Sequence, residues 1–429
     1  MTGAVPPRVT FRDVFAVREF RALWFSEILS VAGDRLALVA LTLLVFDRTK
    51  SPLLAAVVYA VGYLPWVIGG LFLADLADRH PRRSVMVICD AVRAVLVAAM
   101  VVPHVSIGAL VALLFAATMF APPFESARAS ITPEILHGER YILGTAVLQA
   151  TFLAGQVVGA VGGGVTVALL GVRPSLAIDA VTFVLSGLFV GLGTRARPAA
   201  AKPETVQPSP LARMVGGFQL VFGDQALRTL LLFGWLVAFY TIPEGIAAPY
   251  AAGLGGGSVA TGLVIASTAL STTIATPLFT RFVRPRRRIG LMGPLAVLTC
   301  ATLGLTAFRP SLAVSLVIFS LSATFGVYQI AANTAFVVMV PNERRAQAFG
   351  IASMGVIVGQ GAAFVAAGAA TEVVTPTTVI AVGGGIGAVV AFVLTLRWRH
   401  VSPPGGRHAA RRRPSHAATG SSVPLRGSG

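Results

Sequence analysis

Charge is what this chain has least of. Only 12% of its 429 residues are Asp, Glu, Lys or Arg, against 55% hydrophobic residues, and its mean hydropathy is +0.80. So apolar a chain cannot keep its surface in water, which excludes a soluble globular fold. Cysteine is scarce too: Cys89 and Cys300 both fall inside apolar runs, so neither a disulfide framework nor a thiolate metal site is expected. The six histidines, His80, His104, His137, His400, His408 and His416, are scattered without paired-ligand spacing, and no metal is expected. Gly-x-Ser-x-Gly is absent. The only lysines, Lys50 and Lys202, follow Thr49 and Ala201 where a phosphate loop needs Gly. The sequence therefore argues against an enzyme, an ATP-driven pump and a bound cofactor, and any work must draw on an ion gradient.

What is present is a series of twelve apolar runs, from about 21–46 near the start to about 378–396 near the end. Each is close to the ~20 residues with which a helix crosses a bilayer. They are continuously apolar and lack the ~10-residue alternation of a membrane barrel, so the expected fold class is an all-α membrane protein. The first twenty residues carry Arg8, Arg12, Asp13, Arg18 and Glu19 and no short apolar core, so no cleaved signal peptide is expected.

The net charge of +17 is distributed unevenly. Among 34 Lys and Arg, only Arg48, Lys50, Arg173 and Arg309 fall in loops on one side, with Arg35 and Arg93 inside helices; the rest lie on the side of both termini. That bias places both termini in the cytoplasm of a multi-pass protein of the cell membrane, its basic face against anionic lipid. The basic tail around Arg411, Arg412 and Arg413 is read the same way, not as a nucleic-acid site.

The chain also repeats itself. Asn342-Glu343-Arg344 follows Gly138-Glu139-Arg140 at an offset of 204, and sixteen residues past each Arg comes the same dipeptide, Gly155-Gln156 and then Gly359-Gln360. The offset also carries Pro81-Arg82-Arg83 onto Pro285-Arg286-Arg287. Two matched six-helix bundles are expected, and duplicated bundles of this kind move solutes between their halves. The expected units are a cytoplasmic segment 1–17, a bundle 18–195, a linker 196–226, a second bundle 227–400 and a disordered basic tail 401–429. Within the linker, Leu211, Val215, Phe218 and Phe222 form one stripe, which predicts a short amphipathic helix at the membrane surface.

The loop after the second run reads Ala74-Asp75-Leu76-Ala77-Asp78-Arg79-His80-Pro81-Arg82-Arg83-Ser84-Val85-Met86. It resembles the signature loop of the major facilitator superfamily, G-x-L-a-D-R-x-G-R-[KR]-x-x-[LM], with Ala74 and Pro81 where that family has Gly. The resemblance implies a major facilitator fold and, for Asp78, Arg79 and Arg82, a charge network that steadies the outward-open state, with Arg83 a further matching position of the signature loop. Gly155, Gly159, Gly163 and Gly164 lie in a segment similar to the family's antiporter motif, with Ala160 in place of its proline. Spaced four apart, the first three present one small face to which a neighbouring backbone can come close. Phe20-Arg21-Ala22-Leu23-Trp24 leading to Gly33-Asp34-Arg35, and Ile178-Asp179 with Phe183 and Ser186, resemble the macrolide-efflux and enterobactin-exporter branch.

Ionisable residues inside a bilayer cost ~2.5–3.5 kcal/mol each unless they face protein or water, which makes them candidate functional residues. Asp34 is the first candidate for proton coupling. Glu27, seven residues earlier on almost the same face, is expected to share its cavity, and Glu244, between Pro243 and Gly245, is the other candidate. Alternatively Asp34 forms a structural pair with Arg35 or with an Arg on another span, and Arg35 is also expected in the substrate cavity. Asp90 and Arg93, three apart, are expected to pair on one helix face. Gln149, Tyr240, Gln329 and Asn333 complete the expected substrate cavity.

The functional expectation is a secondary active transporter, monomeric, that exports a small amphipathic compound such as a drug, antibiotic or siderophore-like metabolite in exchange for protons. A proton-coupled importer and a non-transporting membrane sensor are the alternatives.

Overall fold

The computed structural model describes residues 9–72, 79–197 and 210–401. Among them twelve helices are long and apolar enough to span a membrane. The first six are Arg18–Thr49, Pro52–Gly69, Arg82–Val101, Ile107–Ile135, Glu139–Leu170 and Val172–Gly193. The second six are Gln225–Gly245, Ser258–Phe282, Pro285–Phe308, Leu312–Met339, Asn342–Thr371 and Pro376–Val401. An even number of crossings puts both described ends of the chain at one end of the bundle, called here the terminal end; the opposite is the far end.

Turn chemistry at the far end explains where the spans stop. Lys50 closes the first span in the left-handed conformation (φ 55°), and Ser51 then caps the second, its hydroxyl accepting from Leu54 N at 3.2 Å ahead of Pro52. Ser106 caps the fourth span in the same way, accepting from Ala109 N at 3.2 Å. The seventh span is interrupted: its helix breaks after Trp235, Tyr240 and Gly245, around Pro243. The fourth and tenth, equivalent by the internal repeat, break after Met119 and Phe325.

Packing follows the repeat. The sixth span packs on the first and third, and the twelfth packs on the seventh and ninth. The fifth packs on the first as the eleventh packs on the seventh. The halves meet along two seams, fifth against eighth and second against eleventh, which exchange with one another under the repeat. Two pseudo-symmetric six-helix bundles result.

The surface helix expected after the linker is present as Pro210–Gly223. It is held at Gly217, where an added Cβ would lie 2.6 Å from the Gln347 carbonyl oxygen, and at buried Val221. Val215 and Phe218 face outward, as an interfacial helix requires. Residues 198–209, most of the linker, and the tail beyond 401 lie outside the described residues.

Candidate functional site

A cavity of ≈ 270 Å³ opens in the N-terminal bundle, its wall completed by Ile357 and Gln360 of the eleventh span. Its wall carries Asp34 and Arg93 among the aromatic side chains Tyr63, Trp66, Phe124, Phe152 and Phe183. Arg93 is 1% exposed and lies over the Phe183 ring, its guanidinium carbon 4.1 Å from the centroid. One end of that guanidinium pairs with Asp34, whose side chain remains 44% exposed. The other end donates to Ser30 Oγ at 3.0 Å.

The expected pairing of Asp90 with Arg93 does not form. The guanidinium reaches across to the first span, and Asp90 instead accepts from Ser186 Oγ at 2.6 Å, with Ser26 Oγ a further 2.7 Å from Ser186 Oγ. Side chains three apart on a helix share a face, yet a cross-helix partner that also satisfies Ser30 competes better. Glu27 does not share the wall with Asp34 either. It is fully buried and 3.0 Å from Arg128, which also pairs with Glu125, and Glu125 is the carboxylate of that group that reaches the cavity. Seven residues fall about 20° short of two full turns and rise about 10 Å, which sets Glu27 further along the helix and slightly rotated from Asp34.

Arg35 lines this cavity too but does not pair with Asp34. It donates to the Tyr63 hydroxyl at 3.1 Å, and both side chains also face a second cavity, of ≈ 300 Å³, between the two bundles. Glu244 lies across that cavity, and its carboxylate accepts from the Tyr59 hydroxyl at 3.1 Å, a contact between the seventh span and the second. The break at Gly245 allows this, because an added Cβ there would lie 2.5 Å from the Phe364 ring. Tyr59, Tyr63 and Phe364 pack edge to face or tilted, with centroids 5.1 to 5.7 Å apart, and form an aromatic plug across the second-to-eleventh seam.

Gln156 and Gln360 line the second cavity together, and Gln360 donates to Thr241 Oγ1 at 3.3 Å. These are the two glutamines of the repeated dipeptide. Neither was singled out as a site residue, although equivalence under the repeat was a usable signal. Tyr59 and Tyr63 carried no such signal. Of the expected cavity polars, Gln329 joins the seventh and tenth spans, donating to the Gly234 carbonyl at 3.0 Å and contacting the Tyr240 hydroxyl at 3.5 Å. Gln149 and Asn333 are exposed and line neither cavity, because their helices turn those positions away.

The glycine face of the fifth span works in two directions. A Cβ at Gly159 would lie 2.5 Å from the Ala32 carbonyl oxygen of the first span, and one at Gly164 would lie 2.5 Å from the Ser258 carbonyl oxygen of the eighth. Gly155 and Gly163 also face the first span. The motif thus packs the N-terminal bundle and closes the bundle-to-bundle seam near the far end. At the same end Glu372 accepts from Ser51 Oγ at 2.6 Å and Leu53 N at 3.1 Å, capping the second span from the opposite bundle. Those two bonds hold the Glu372 carboxyl below the usual carboxylate range.

At the terminal end Arg82 pairs with Glu134, which also lies 3.5 Å from Arg197. Arg197 pairs with Glu19 at 2.9 Å, and Arg83 donates to the Gly191 carbonyl. Among the described residues this network ties together loops of the N-terminal bundle. Arg79 also has a partner, and Asp78 lies outside the described residues.

Comparison with known proteins agrees with this architecture. The family model of the Major Facilitator Superfamily matches residues 23–338 and 245–427. The chain is 29% identical over 217 residues to the multidrug efflux pump Tap of Mycolicibacterium fortuitum, covering 48% of this chain and 53% of that protein. It is 20% identical over 229 residues to macrolide efflux protein A of Streptococcus pyogenes, covering 52% and 56%. The matched stretch thus spans about half the length of these relatives. By fold it is similar to a POT family transporter in complex with a thioalcohol-conjugated peptide, with TM-score 0.73 at 10% identity, covering 90% of this chain and 97% of the other. It is also similar to a bacterial homologue of the iron transporter ferroportin in an inward-facing state, with TM-score 0.65 at 16% identity, covering 90% and 98%. With twelve spans in two repeated bundles, polar cavities within and between them, and a family model covering most of its length, the chain belongs to the major facilitator superfamily.

Proposed function

We propose that this transporter exports a small amphipathic compound, such as a drug, antibiotic or siderophore-like metabolite, in exchange for protons. The observation that carries the proposal is the half-exposed Asp34, held by buried Arg93 in an aromatic-walled cavity. Aromatic walls suit an apolar ligand body, and the carboxylate offers a site that a proton and a polar ligand group compete for. The names of the multidrug and macrolide efflux relatives favour the same direction. Excess Lys and Arg at the terminal end makes that end cytoplasmic. The seams at Gly164 and Glu372 then close the external side, and the conformation described is an inward-facing one. Rocking the bundle at about 18–195 against that at about 227–400, as a monomer, would expose the site to each side in turn. A proton and a ligand drive that exchange only by binding the two states unequally.

The deciding experiment uses everted membrane vesicles with an imposed acid interior and a panel of labelled macrolides, tetracyclines and siderophores. Export predicts accumulation inside the vesicles that a protonophore collapses. Accumulation by intact cells that collapses with the proton gradient would establish import instead. A panel in which nothing moves, with Asp34 and Glu244 both dispensable to the cell, would favour a sensor.

A further inference from the structure

One guanidinium serves three carboxylates in the N-terminal bundle. Arg93 pairs with Asp34 and bonds Ser30, while Asp90 and Asp179 stand nearby, both fully buried. Asp90 has a strong partner for one oxygen, Ser186 at 2.6 Å from Oδ2, while its Oδ1 has no hydrogen-bond partner. Asp179 is much less well satisfied. Its Oδ1 has only the Thr182 hydroxyl at 3.2 Å, and that hydroxyl makes its shorter bond, 2.7 Å, to the Asp179 backbone carbonyl; Oδ2 has no hydrogen-bond partner. Asp179 nevertheless belongs to the same cavity wall as Asp34 and Arg93, and Gly33 is what admits it, since any Cβ on Gly33 would collide with its carboxylate.

An ionised carboxylate without a partner costs several kcal/mol in such an environment. With Arg93 committed to Asp34, Asp179 is therefore stable only as the neutral acid. The free atoms on the two residues match: Arg93 Nε, like Asp179 Oδ2, has no hydrogen-bond partner, and Asp179 is near enough to act electrostatically on the guanidinium. The elements packed on Asp179 bring few other titratable groups. The first span contributes Asp34 and, two turns away, Glu27, with Arg35 turned to Tyr63. The third contributes Cys89, Asp90 and Arg93, and the fifth has Glu139, Arg140 and Tyr141 at its terminal end only.

We propose that Asp179 is a second proton-binding residue of the cavity and that Arg93 is handed between Asp34 and Asp179. Protonation of Asp34 converts its carboxylate to the acid and frees the guanidinium; Asp179 then gives its proton to cavity water and becomes the carboxylate that pairs with Arg93. The guanidinium keeps its charge, and the cluster gains one proton and loses one. This rests on the reading of Asp34 as the coupling residue, but the test separates the two.

The test is infrared difference spectroscopy of the full-length protein in lipid nanodiscs at neutral pH, following the carbonyl stretch of protonated carboxyl groups. Asp179→Asn is expected to remove one such band. Asp34→Asn is expected to remove the same band, because Arg93 then ionises Asp179, and adding Arg93→Met to Asp34→Asn is expected to restore it. Asp90→Asn leaves it in place. A spectrum unchanged by Asp179→Asn, or an Asp179 band that persists in Asp34→Asn, overturns the proposal. Should Asp179→Asn fail to insert, Gly33→Ala replaces it, and the band must shift or vanish there. In vesicles Asp179→Glu is expected to displace the pH profile of efflux and Asp179→Asn to flatten it; an unaltered profile in both is equally fatal. Unchanged efflux in Asp34→Asn would refute the functional reading alone, since the infrared handover is observed without transport.

Discussion

Arg93 pairs with Asp34 across the first and third spans, not with Asp90 one turn away on its own helix. A buried cation is thereby placed at the wall of a cavity, held to a carboxylate of the neighbouring span. Asp34→Asn is expected to abolish proton-driven efflux while the protein still inserts and folds, because Asn preserves size and loses only the charge. Efflux rates in proteoliposomes check this, with equal rates for variant and parent as the outcome that removes Asp34 from the mechanism.

Arg93→Met removes the cation and leaves its partners behind. Breaking a buried pair costs 3–5 kcal/mol, and since Asp34 is half hydrated the expected loss is near the lower limit, about 3 kcal/mol. Thermal unfolding in detergent measures it. A combined Asp34→Asn/Arg93→Met variant is expected to recover part of the loss, and strict additivity would mean that the pair is not coupled.

Gly159 and Gly164 sit on the same helix and have different consequences. Gly159→Val drives a side chain into the first span and should lower the yield of folded protein. Gly164→Val instead blocks the approach of the eighth span, so the N-terminal bundle still folds while the far end stays open. Cysteine cross-linking across that seam separates the two: Gly164→Val should lower cross-linking several-fold with normal expression.

Glu372 tests the far-end closure by pH. Its carboxyl is held below the usual range by Ser51 and Leu53, so its contribution is present above the carboxylate pKa of the free side chain and is lost as pH falls through the lowered value. Acidification is expected to open the far end. Glu372→Ala should open it at neutral pH as well and remove the acid response. Distances between spin labels on the second and eleventh spans report both, and an acid response that survives Glu372→Ala would place the switch elsewhere.

Tyr59→Phe removes the hydroxyl that Glu244 accepts from and leaves a buried carboxylate short of a donor, at a cost of about 1–3 kcal/mol. Because the bond joins the two bundles in this state, the variant should favour the opposite state and raise the rate of conformational exchange. Single-molecule fluorescence between the bundles measures that shift, and unchanged state populations would mean that the contact does not bias the cycle.

Much of this protein is written along its chain. The length and continuity of the apolar runs determined an all-helical membrane fold with twelve crossings, since bilayer thickness imposes a one-dimensional requirement that composition alone satisfies. Repetition at an offset of 204 determined the two matched bundles, and it contained the equivalence of Gln156 and Gln360 before their shared cavity was known. Which charges meet was decided only in three dimensions. Partner choice depends on how each helix is rotated about its own axis and how closely its neighbour approaches, and both are set by packing at small residues such as Gly33 and Gly159. For that reason spacing suggested Asp90 for Arg93 and a shared wall for Glu27 and Asp34, whereas the packed bundle gave Arg93 to Asp34 and sealed Glu27 against Arg128.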